Sequence, residues 1–323
     1  MTSSTQPATF LELFTDLQNR VRITTSVSAT EDIAKRLINT ALHDLHIGYA
    51  ECLPWCERRA TLVTQPTYST GTLTVSQGAT AVTGSGTLWN TNNNFGVANV
   101  RAGGKLRISG GSEIYEVSTV TNDTSLALTS RFTPDTVTAG SYSYYEDEYA
   151  LASDFLRPID LTQFSAPFNI ELLGRTEFRR RYVNNFIPGR PSCATIVDLA
   201  FSGNTTPVRK VLFAKPPDRA YSIPYTYATA NLAVTTAGVA QRQMSSDDDE
   251  PIVPLRYRHV IVLHALKEWY RDQKDDDRFG AVKQEYEQLL LRIVGDTEIG
   301  QAHPYLRPDV VGYARRAQRP YSR

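Results

Sequence analysis

The segment of residues 71–147 constrains the fold of this chain more than any other. It is rich in Thr, Ser and Gly, and apolar and polar residues alternate along it as they do in strands with one buried face. The alternating runs are residues 72–75, 105–108, 114–120 and 125–129. Residues suited to tight turns separate these runs, at 84–86, 90–94, 103–104, 110–111 and 122–123. The pattern predicts a small β-sandwich or open barrel.

Composition limits the class of protein. A chain of 323 residues is expected to hold about two domains, and 41% hydrophobic residues suffice for a folded core. Because 34 basic residues balance 34 acidic ones, net charge indicates no nucleic-acid partner. The chain contains neither a run of about 18 apolar residues nor a signal peptide, so we expect no membrane span and assembly in a cytoplasm. Cys52, Cys56 and Cys193 are expected to be free thiols.

Two amphipathic helices are predicted before the β-module. Residues 9–17 place Phe10, Leu13, Phe14 and Leu17 on one face. A second helix, capped by Ser28 or Thr30, carries an apolar stripe and ends before Pro54. The stripe consists of Ile33, Leu37, Ala41, Leu45 and Gly48, widened by Ile38, Leu42 and Tyr49. Residues 59–64 are predicted to form a strand that leads into the module.

The second half of the chain mixes strands and helices. Residues 178–186, 193–201 and 208–214 are expected to be strands or short helices, and residues 221–232 a strand. The acidic run at residues 247–250 is interpreted as a solvated loop rather than a metal site. A helical hairpin follows, with helices at 255–270 and 278–294. The first helix has a mixed face made of Val260, Leu263, His264, Leu266, Lys267 and Tyr270, and His259 also lies on that helix. The apolar positions of the second helix are Val282, Tyr286, Leu289, Leu290 and Ile293.

Residues 296–323 form an extended basic arm in this interpretation. Prolines interrupt any helix there, and the arginines are opposed only by Asp309 after residue 300. Tyrosine interleaved with arginine is typical of protein interfaces and nucleic-acid surfaces. The residues expected to dock on a partner are Tyr305, Arg307, Tyr313, Arg315, Arg316, Arg319 and Tyr321.

The order of these parts resembles the head-to-tail adaptor, or head-completion, proteins of tailed bacteriophages. The resemblance is carried by residues 145–158, by the hairpin around Trp269 and Tyr270, and by the inserted segment at residues 84–89. It implies an α+β fold in which residues 1–65 and 148–295 form a helical-bundle adaptor core with added β-structure. Residues 66–147 are then an inserted all-β domain, and residues 296–323 the C-terminal arm.

The resemblance also implies a function. The chain would form a homo-oligomeric ring of about twelve copies at the virion's head-tail junction. Its arm would bind the portal protein, genomic DNA would pass through the lumen without sequence-specific binding, and a tail or nozzle protein would attach below. We expect neither cofactor nor enzymatic activity, and assembly in the host cytoplasm.

Two groups of residues are candidates for catalytic or metal sites. Asp154 with Glu171, or Glu146 with Glu148, are candidate carboxylate pairs for glycoside chemistry, although the second pair is expected to share the wet face of a strand. No sequence motif for nucleotide hydrolysis, zinc proteolysis or a serine nucleophile occurs. The best candidates for zinc ligands are His43, His46, Cys52 and Cys56. The alternative interpretation is that the two histidines lie on a hydrogen-bonded helix face and the two cysteines are buried free thiols.

Two surfaces leave alternatives open. Arg175, Arg179, Arg180 and Arg181 suit a solvated face or an interface, and we do not assign them to DNA. The rival function is a fibre-associated or carbohydrate-binding component that acts through the β-module. Its sugar-facing candidates, which are also candidates for the module core, are Trp89, Tyr115, Tyr142, Tyr144 and Tyr145.

Overall fold

The fold is mixed α+β, as the sequence predicts. A computed structural model describes residues 7–21, 28–49, 53–109, 112–159, 170–182, 187–199 and 208–297. Helices take 31% of the chain and strands 32%, so neither class dominates. The chain divides into two compact units, residues 59–227 (the β-unit) and residues 1–58 with 228–323 (the helical unit). None of the described helices is long and apolar enough to cross a membrane.

The secondary-structure elements are numbered in chain order. The helices are α1 (Phe10–Val21), α2 (Ser28–Tyr49), α3 (Arg175–Arg181), α4 (His259–Asp272) and α5 (Asp276–Thr297). The first ten strands are β1 (Glu57–Val63), β2 (Thr72–Val75), β3 (Ala81–Ser85), β4 (Lys105–Ile108), β5 (Ile114–Asn122), β6 (Ser125–Leu128), β7 (Val137–Gly140), β8 (Tyr142–Tyr145), β9 (Glu148–Ala150) and β10 (Phe155–Pro158). The others are β11 (Glu171–Leu172), β12 (Cys193–Leu199), β13 (Val208–Phe213), β14 (Ser222–Thr229), β15 (Ala233–Val234), β16 (Ala240–Gln241) and β17 (Glu250–Pro251).

Helix α4 is the centre of the helical unit. It packs against α1, α2 and α5, and every residue from Val260 to Leu266 is buried. The predicted single mixed face is therefore wrong for this helix, because three neighbouring helices cover most of its circumference. The predicted face of α1 is confirmed, since Phe10, Leu13, Phe14 and Leu17 are all buried.

The buried face of α2 coincides with the predicted stripe at Ile38, Ala41, Leu42 and Leu45. Ala34, Ile38, Ala41, Leu42 and Leu45 are buried, whereas the predicted Ile33 and Leu37 are half-buried and Gly48 is exposed. The prediction omitted Ala34 and was too wide at its edges, where Ile33, Leu37, Gly48 and Tyr49 are not fully buried. Contact with α1 and α4 decides which positions of this broad periodic pattern become the core.

The β-module is a curled seven-stranded sheet with strand order β7-β2-β3-β6-β5-β4-β8. Its two edge strands are separated in the chain only by Ser141. The backbone N–H of Tyr68 donates to the carbonyl of Tyr144 and the reverse bond also forms, each at 2.8 Å. The curled sheet agrees with the predicted small β-module, and the last pairing brings the beginning and the end of the module side by side.

The prediction found four of the seven module strands and missed β3, β7 and β8. Strand β3 contains Gly84 and β7 contains Gly140, so both resemble turns in composition. Strand β8 has no clean alternation, because Tyr142, Tyr144 and Tyr145 are all buried. The three missed strands have a local sequence that does not favour a strand, and pairing with neighbouring strands of the module stabilises them.

Two smaller sheets complete the β-unit. One has the order β11-β12-β13-β9 and the other β1-β14-β10. Their shared apolar core includes Tyr149, Phe155, Val211, Phe213 and Ile223. Residues 148–227 thus form a compact unit together with residues 59–147, whereas the sequence division grouped them with the helices. The segment at residues 178–186, predicted as a strand or short helix, begins inside α3, and its residues 183–186 lie outside the described ranges.

Candidate functional site

The largest cluster of ion pairs in the described part of the β-unit lies where the module joins the neighbouring sheet. We call this cluster the charged junction and define it as Arg101, Lys105, Glu146, Asp147, Glu148 and Lys210. It borders a cleft of about 290 Å³ that is also lined by Leu62, Gly103 and Tyr149. Glu146 and Asp147 connect β8 to β9, so the two carboxylates sit at the point where the chain leaves the module.

Arg101 and Glu146 form the core of the charged junction. The Arg101 Nε donates to Glu146 Oε1 at 2.9 Å, and a second guanidinium nitrogen donates to Oε2. This fork-to-fork geometry is the strongest arrangement of an arginine and a carboxylate. Glu146 is buried, so the two hydrogen bonds from Arg101 replace the water that its carboxylate has lost.

Tyr144 links this pair to the core of the module. Its hydroxyl donates to Glu146 Oε1 at 2.5 Å and accepts from the backbone N–H of Arg101 at 3.0 Å. Burial raises the pKa of Tyr144 strongly, so the hydroxyl remains protonated and stays a donor. The ring fills the space beside Gly104, where an added Cβ would overlap the tyrosine hydroxyl.

Lys105 and Lys210 neutralise the two remaining carboxylates. Lys105 Nζ lies 2.6 Å from Asp147 Oδ2 and 3.9 Å from Glu148 Oε1, while Lys210 Nζ lies 3.7 Å from Glu148 Oε2. Burial raises the pKa of Asp147 despite the opposing effect of Lys105. A perturbed carboxyl in a cleft is a common mark of a functional site, but structural ion-pair networks produce the same signature. Each carboxylate of the charged junction already has a cationic partner.

The candidate carboxylate pairs do not form a shared site through any described contact. Asp154 Oδ1 accepts from the Tyr227 hydroxyl at 2.7 Å, whereas Glu171 Oε2 lies 3.9 Å from the Cys193 sulfur. The expectation that Glu146 and Glu148 share a wet strand face is wrong. Glu146 is buried and precedes β9, while Glu148 is half-buried on β9, because Arg101 draws the first carboxylate into the junction.

The four candidate zinc ligands do not lie in one common environment. His46 is buried, with Nδ1 3.2 Å from the Cys56 sulfur and Nε2 2.5 Å from the Thr229 carbonyl oxygen. His43 is exposed, and Cys52 lies outside the described residues. Cys56 and Cys193 are free and buried, which confirms the predicted thiols at these two positions. Within the described ranges, no three His, Cys, Asp or Glu side chains are grouped to hold a metal ion.

The five aromatic candidates for sugar binding are core residues. Trp89, Tyr115, Tyr142 and Tyr144 belong to one buried cluster, and Tyr145 is buried as well. The Trp89 indole donates to the Tyr142 hydroxyl at 2.9 Å, and burial raises the pKa of Tyr142 to about 12. The core interpretation of these residues is therefore confirmed, and none of the five presents an open ring face to a ligand.

The acidic run at residues 247–250 is not a simple solvated loop, which corrects that interpretation. Asp249 is buried, and its Oδ2 accepts from the backbone N–H groups of Ser245 and Ser246 at 2.7 Å each. Asp247 pairs with Lys35 at 2.7 Å, and Glu250 pairs with the buried Arg258 at 2.8 Å. The run contributes to the helical unit because the backbone carbonyls of Asp247 and Asp249 also accept from the first turn of α1.

No described contact gathers the four arginines at residues 175–181 into a binding site. Arg175, Arg179, Arg180 and Arg181 lie on the short helix α3, where Arg181 pairs with Glu177 at 2.6 Å. The docking arm lies outside the described residues, including Tyr305, Arg307, Tyr313, Arg315, Arg316, Arg319 and Tyr321.

Sequence analysis missed the charged junction. Residues 145–158 include the three carboxylates of the junction, but the partners Arg101, Lys105 and Lys210 are distant from them in the chain. The strand register brings Lys105 opposite Tyr145, and Lys210 opposite Ala150. Comparisons of the chain with family models, with curated proteins and with solved structures found no match.

Proposed function

We propose that this chain is a structural protein of a tailed-phage virion, a head-to-tail adaptor that forms a ring beneath the portal. The observation that carries the proposal is the composition of the helical unit, which is assembled from both ends of the chain. Residues 59–227 leave this unit and return to it as a separate compact body. A helical core interrupted by β-structure is the order of parts that the resemblance to adaptor proteins implies.

The use of charged residues supports an architectural role over an enzymatic one. Arg101 and Glu146 pair inside the charged junction. Arg258, which is also buried, donates to the carbonyls of Val253 and Ala8 and to the Glu250 carboxylate. Buried charges that satisfy one another hold elements in place and are poorly available for proton transfer. We therefore propose that the protein is not an enzyme.

The C-terminal arm is the proposed contact with the portal. Its tyrosines and arginines would become ordered on binding, and the entropic cost would be offset by burying aromatic area and pairing guanidinium groups. In this proposal the ring extends the DNA channel and provides the platform for a tail or nozzle protein. The near-neutral composition suits a lumen through which DNA passes without being retained.

Deletion of residues 301–323 tests the arm. The truncated chain is expected to lose binding to a portal ring in a pull-down or by cryo-electron microscopy. Its circular dichroism spectrum and melting temperature are expected to remain those of the full chain. A matched control with Arg179→Ala and Arg180→Ala on α3 removes two exposed arginines elsewhere and should bind normally. Undiminished portal binding by the truncated chain would contradict the docking proposal.

Ring formation tests the adaptor proposal as a whole. We expect the full chain to form closed rings of uniform copy number, alone or on a portal, in electron micrographs and in light scattering after size exclusion. A chain that remains monomeric in both conditions would overturn the proposed function, whatever the arm binds.

A further inference from the structure

A second charged surface lies in the helical unit. A cleft of about 410 Å³ is lined by Arg36, Asn39, Thr40 and His43 of α2 and by Arg242 of the segment that follows β16. The Asn39 amide joins its two walls, because Nδ2 donates to the Met244 carbonyl at 2.9 Å and Oδ1 accepts from the Met244 N–H at 3.1 Å. The cleft is therefore a formed feature of the helical unit.

The two arginines of this cleft lack anionic partners. Arg36 and Arg242 are exposed, and neither lies within 4.0 Å of a carboxylate in the ranges that the structure describes. Arg101 and Arg258, in contrast, are both paired with glutamates. Two guanidinium groups at one concave surface suit a ligand with two carboxylates or a phosphate, since each presents a fork of donors.

A complementary surface occurs on the same helical unit. Residues 272–277, which we call the acidic turn, connect α4 to α5 and contain four aspartates and one lysine. Lys274 has a φ of 57°, so the connection is tight and its side chains are displayed at the end of the hairpin. Asp272 and Asp275 approach Arg271 and Arg278 at 3.8 and 3.4 Å.

Asp276 and Asp277 are the aspartates of the acidic turn that remain available. Both are exposed in the first turn of α5, and no cation of the described residues lies within 4.0 Å of either carboxylate. Within one chain, they are not paired with Arg36 or Arg242. Since the two surfaces do not pair within the described chain, a second copy can bring them together.

We propose that the cleft of Arg36 and Arg242 binds the acidic turn of a second copy of this chain, with Asp276 and Asp277 accepting from the two guanidinium groups. The contact joins different surfaces of the two copies, so it repeats head to tail and generates a closed ring or a filament. This inference rests on the proposed function, in which copies of the chain form a ring, and it names the residues that join neighbours.

A nucleic-acid phosphate is the competing ligand of the cleft. The salt-dependent affinity of proteins for DNA grows with the number of phosphates neutralised, and two arginines supply few such contacts. The acidic turn provides two adjacent carboxylates, one for each arginine of the cleft. The observations therefore favour the second copy, and DNA binding becomes an outcome of the test.

Charge reversal on both surfaces tests the proposal. The cleft variant is Arg36→Glu with Arg242→Glu, and the turn variant is Asp276→Lys with Asp277→Lys. Each alone is expected to weaken self-association roughly tenfold or more in sedimentation equilibrium, because like charges would then face each other. Mixed in equal amounts, the two variants are expected to assemble again, in alternation, because each reversed surface meets its complement.

Controls separate charge from folding. Arg179→Glu with Arg180→Glu changes net charge by the same amount on α3 and is expected to leave self-association unchanged. The double variant Asp276→Asn with Asp277→Asn removes both charges, and asparagine is compatible with the start of a helix. It should weaken self-association without lowering the melting temperature. Circular dichroism of every variant verifies the fold.

Distinct outcomes contradict distinct statements. If the native chain forms rings and the mixed variants assemble no better than each alone, the proposed contact is wrong and the adaptor proposal survives. If the cleft variant assembles normally but loses binding to a labelled DNA duplex, the cleft is a phosphate site. If the native chain never self-associates, the contact and the adaptor proposal both fail.

Discussion

Single residues of the charged junction show how tightly the module is packed where its last strand, β8, leads into β9. Tyr144 is fully buried and is held by Arg101 and Glu146. Gly104 borders this ring, so its missing side chain is what allows the tyrosine to be there. No local sequence signal distinguishes this glycine from the turn glycine beside it, Gly103, whose φ is 85°.

Substitution Gly104→Ala should destabilise the β-unit. The new Cβ would overlap the Tyr144 hydroxyl and ring, and we expect a loss of about 2–3 kcal/mol in the free energy of unfolding, as for other overpacked sites. Urea denaturation followed by tryptophan fluorescence measures this. Gly174→Ala is the control, since an added Cβ there meets open space. We expect it to lower the free energy of unfolding by less than half as much as Gly104→Ala does. Equal losses for both variants would contradict the packing argument.

Asp147 should make stability fall as the pH rises. Burial holds its folded pKa above the ordinary value of 3.8, so the folded state binds more protons than the unfolded state between the two values. The contribution of this group is complete below pH 3.8 and is lost as the pH rises through the folded pKa. The difference in stability between the native chain and Asp147→Asn is therefore expected to fall with rising pH. A difference that is constant from pH 3.5 to 7 by urea titration would show that Lys105 cancels the effect of burial.

At the scale of elements, the position of α4 decides the packing of the helical unit. Its residues 260–266 are buried because α1, α2 and α5 surround it. His264 is included in this buried run, and its ring meets Tyr286 of α5 edge to face at 5.1 Å. The spacing of apolar residues correctly predicted both helices of the hairpin and the burial of Tyr286, Leu290 and Ile293. It did not predict how many helices pack around α4.

His264 should make the α4–α5 packing sensitive to acid. Burial, reinforced by Lys267, lowers the pKa of its imidazole below the ordinary value of 6.5. Stability from this group is present in full above pH 6.5 and is lost as the pH falls through the folded pKa. His264→Leu is expected to lose less stability between pH 7 and pH 5 than the native chain does. The exposed His43→Gln is the control, and the same pH profile in all three proteins would contradict the role of His264.

At the scale of the whole molecule, two compact units predict two thermal transitions. Residues 59–227 hold one unit, and the two ends of the chain form the other. Differential scanning calorimetry should therefore resolve two transitions or one asymmetric transition. Gly104→Ala is expected to lower one transition by several degrees and leave the other within about one degree. Equal displacement of both would indicate a single cooperative unit.

The paired ends of the module predict that it can be removed. Tyr68 and Tyr144 exchange two backbone hydrogen bonds, so a short Gly-Ser linker can replace residues 69–143. Because Arg101 and Lys105 leave with the module, Glu146→Gln and Asp147→Asn should accompany the deletion. We expect the helical transition to persist in calorimetry and rings to assemble in electron micrographs. Loss of rings with an unchanged helical transition would assign the module a part in assembly.

Sequence alone determined the secondary structure of elements whose single buried face leaves a clear period of apolar residues in the chain. The face of α1, the helical hairpin and the strands β2, β4, β5 and β6 were found in this way. Tertiary structure decided which positions of α2 are in the core, that α4 is covered on most sides, and that residues 148–227 pack with the module. It also assembled the charged junction from Arg101, Lys105, Glu146 and their partners. Ion pairs and strand registers join residues that are far apart in the chain, and no local period records such a meeting.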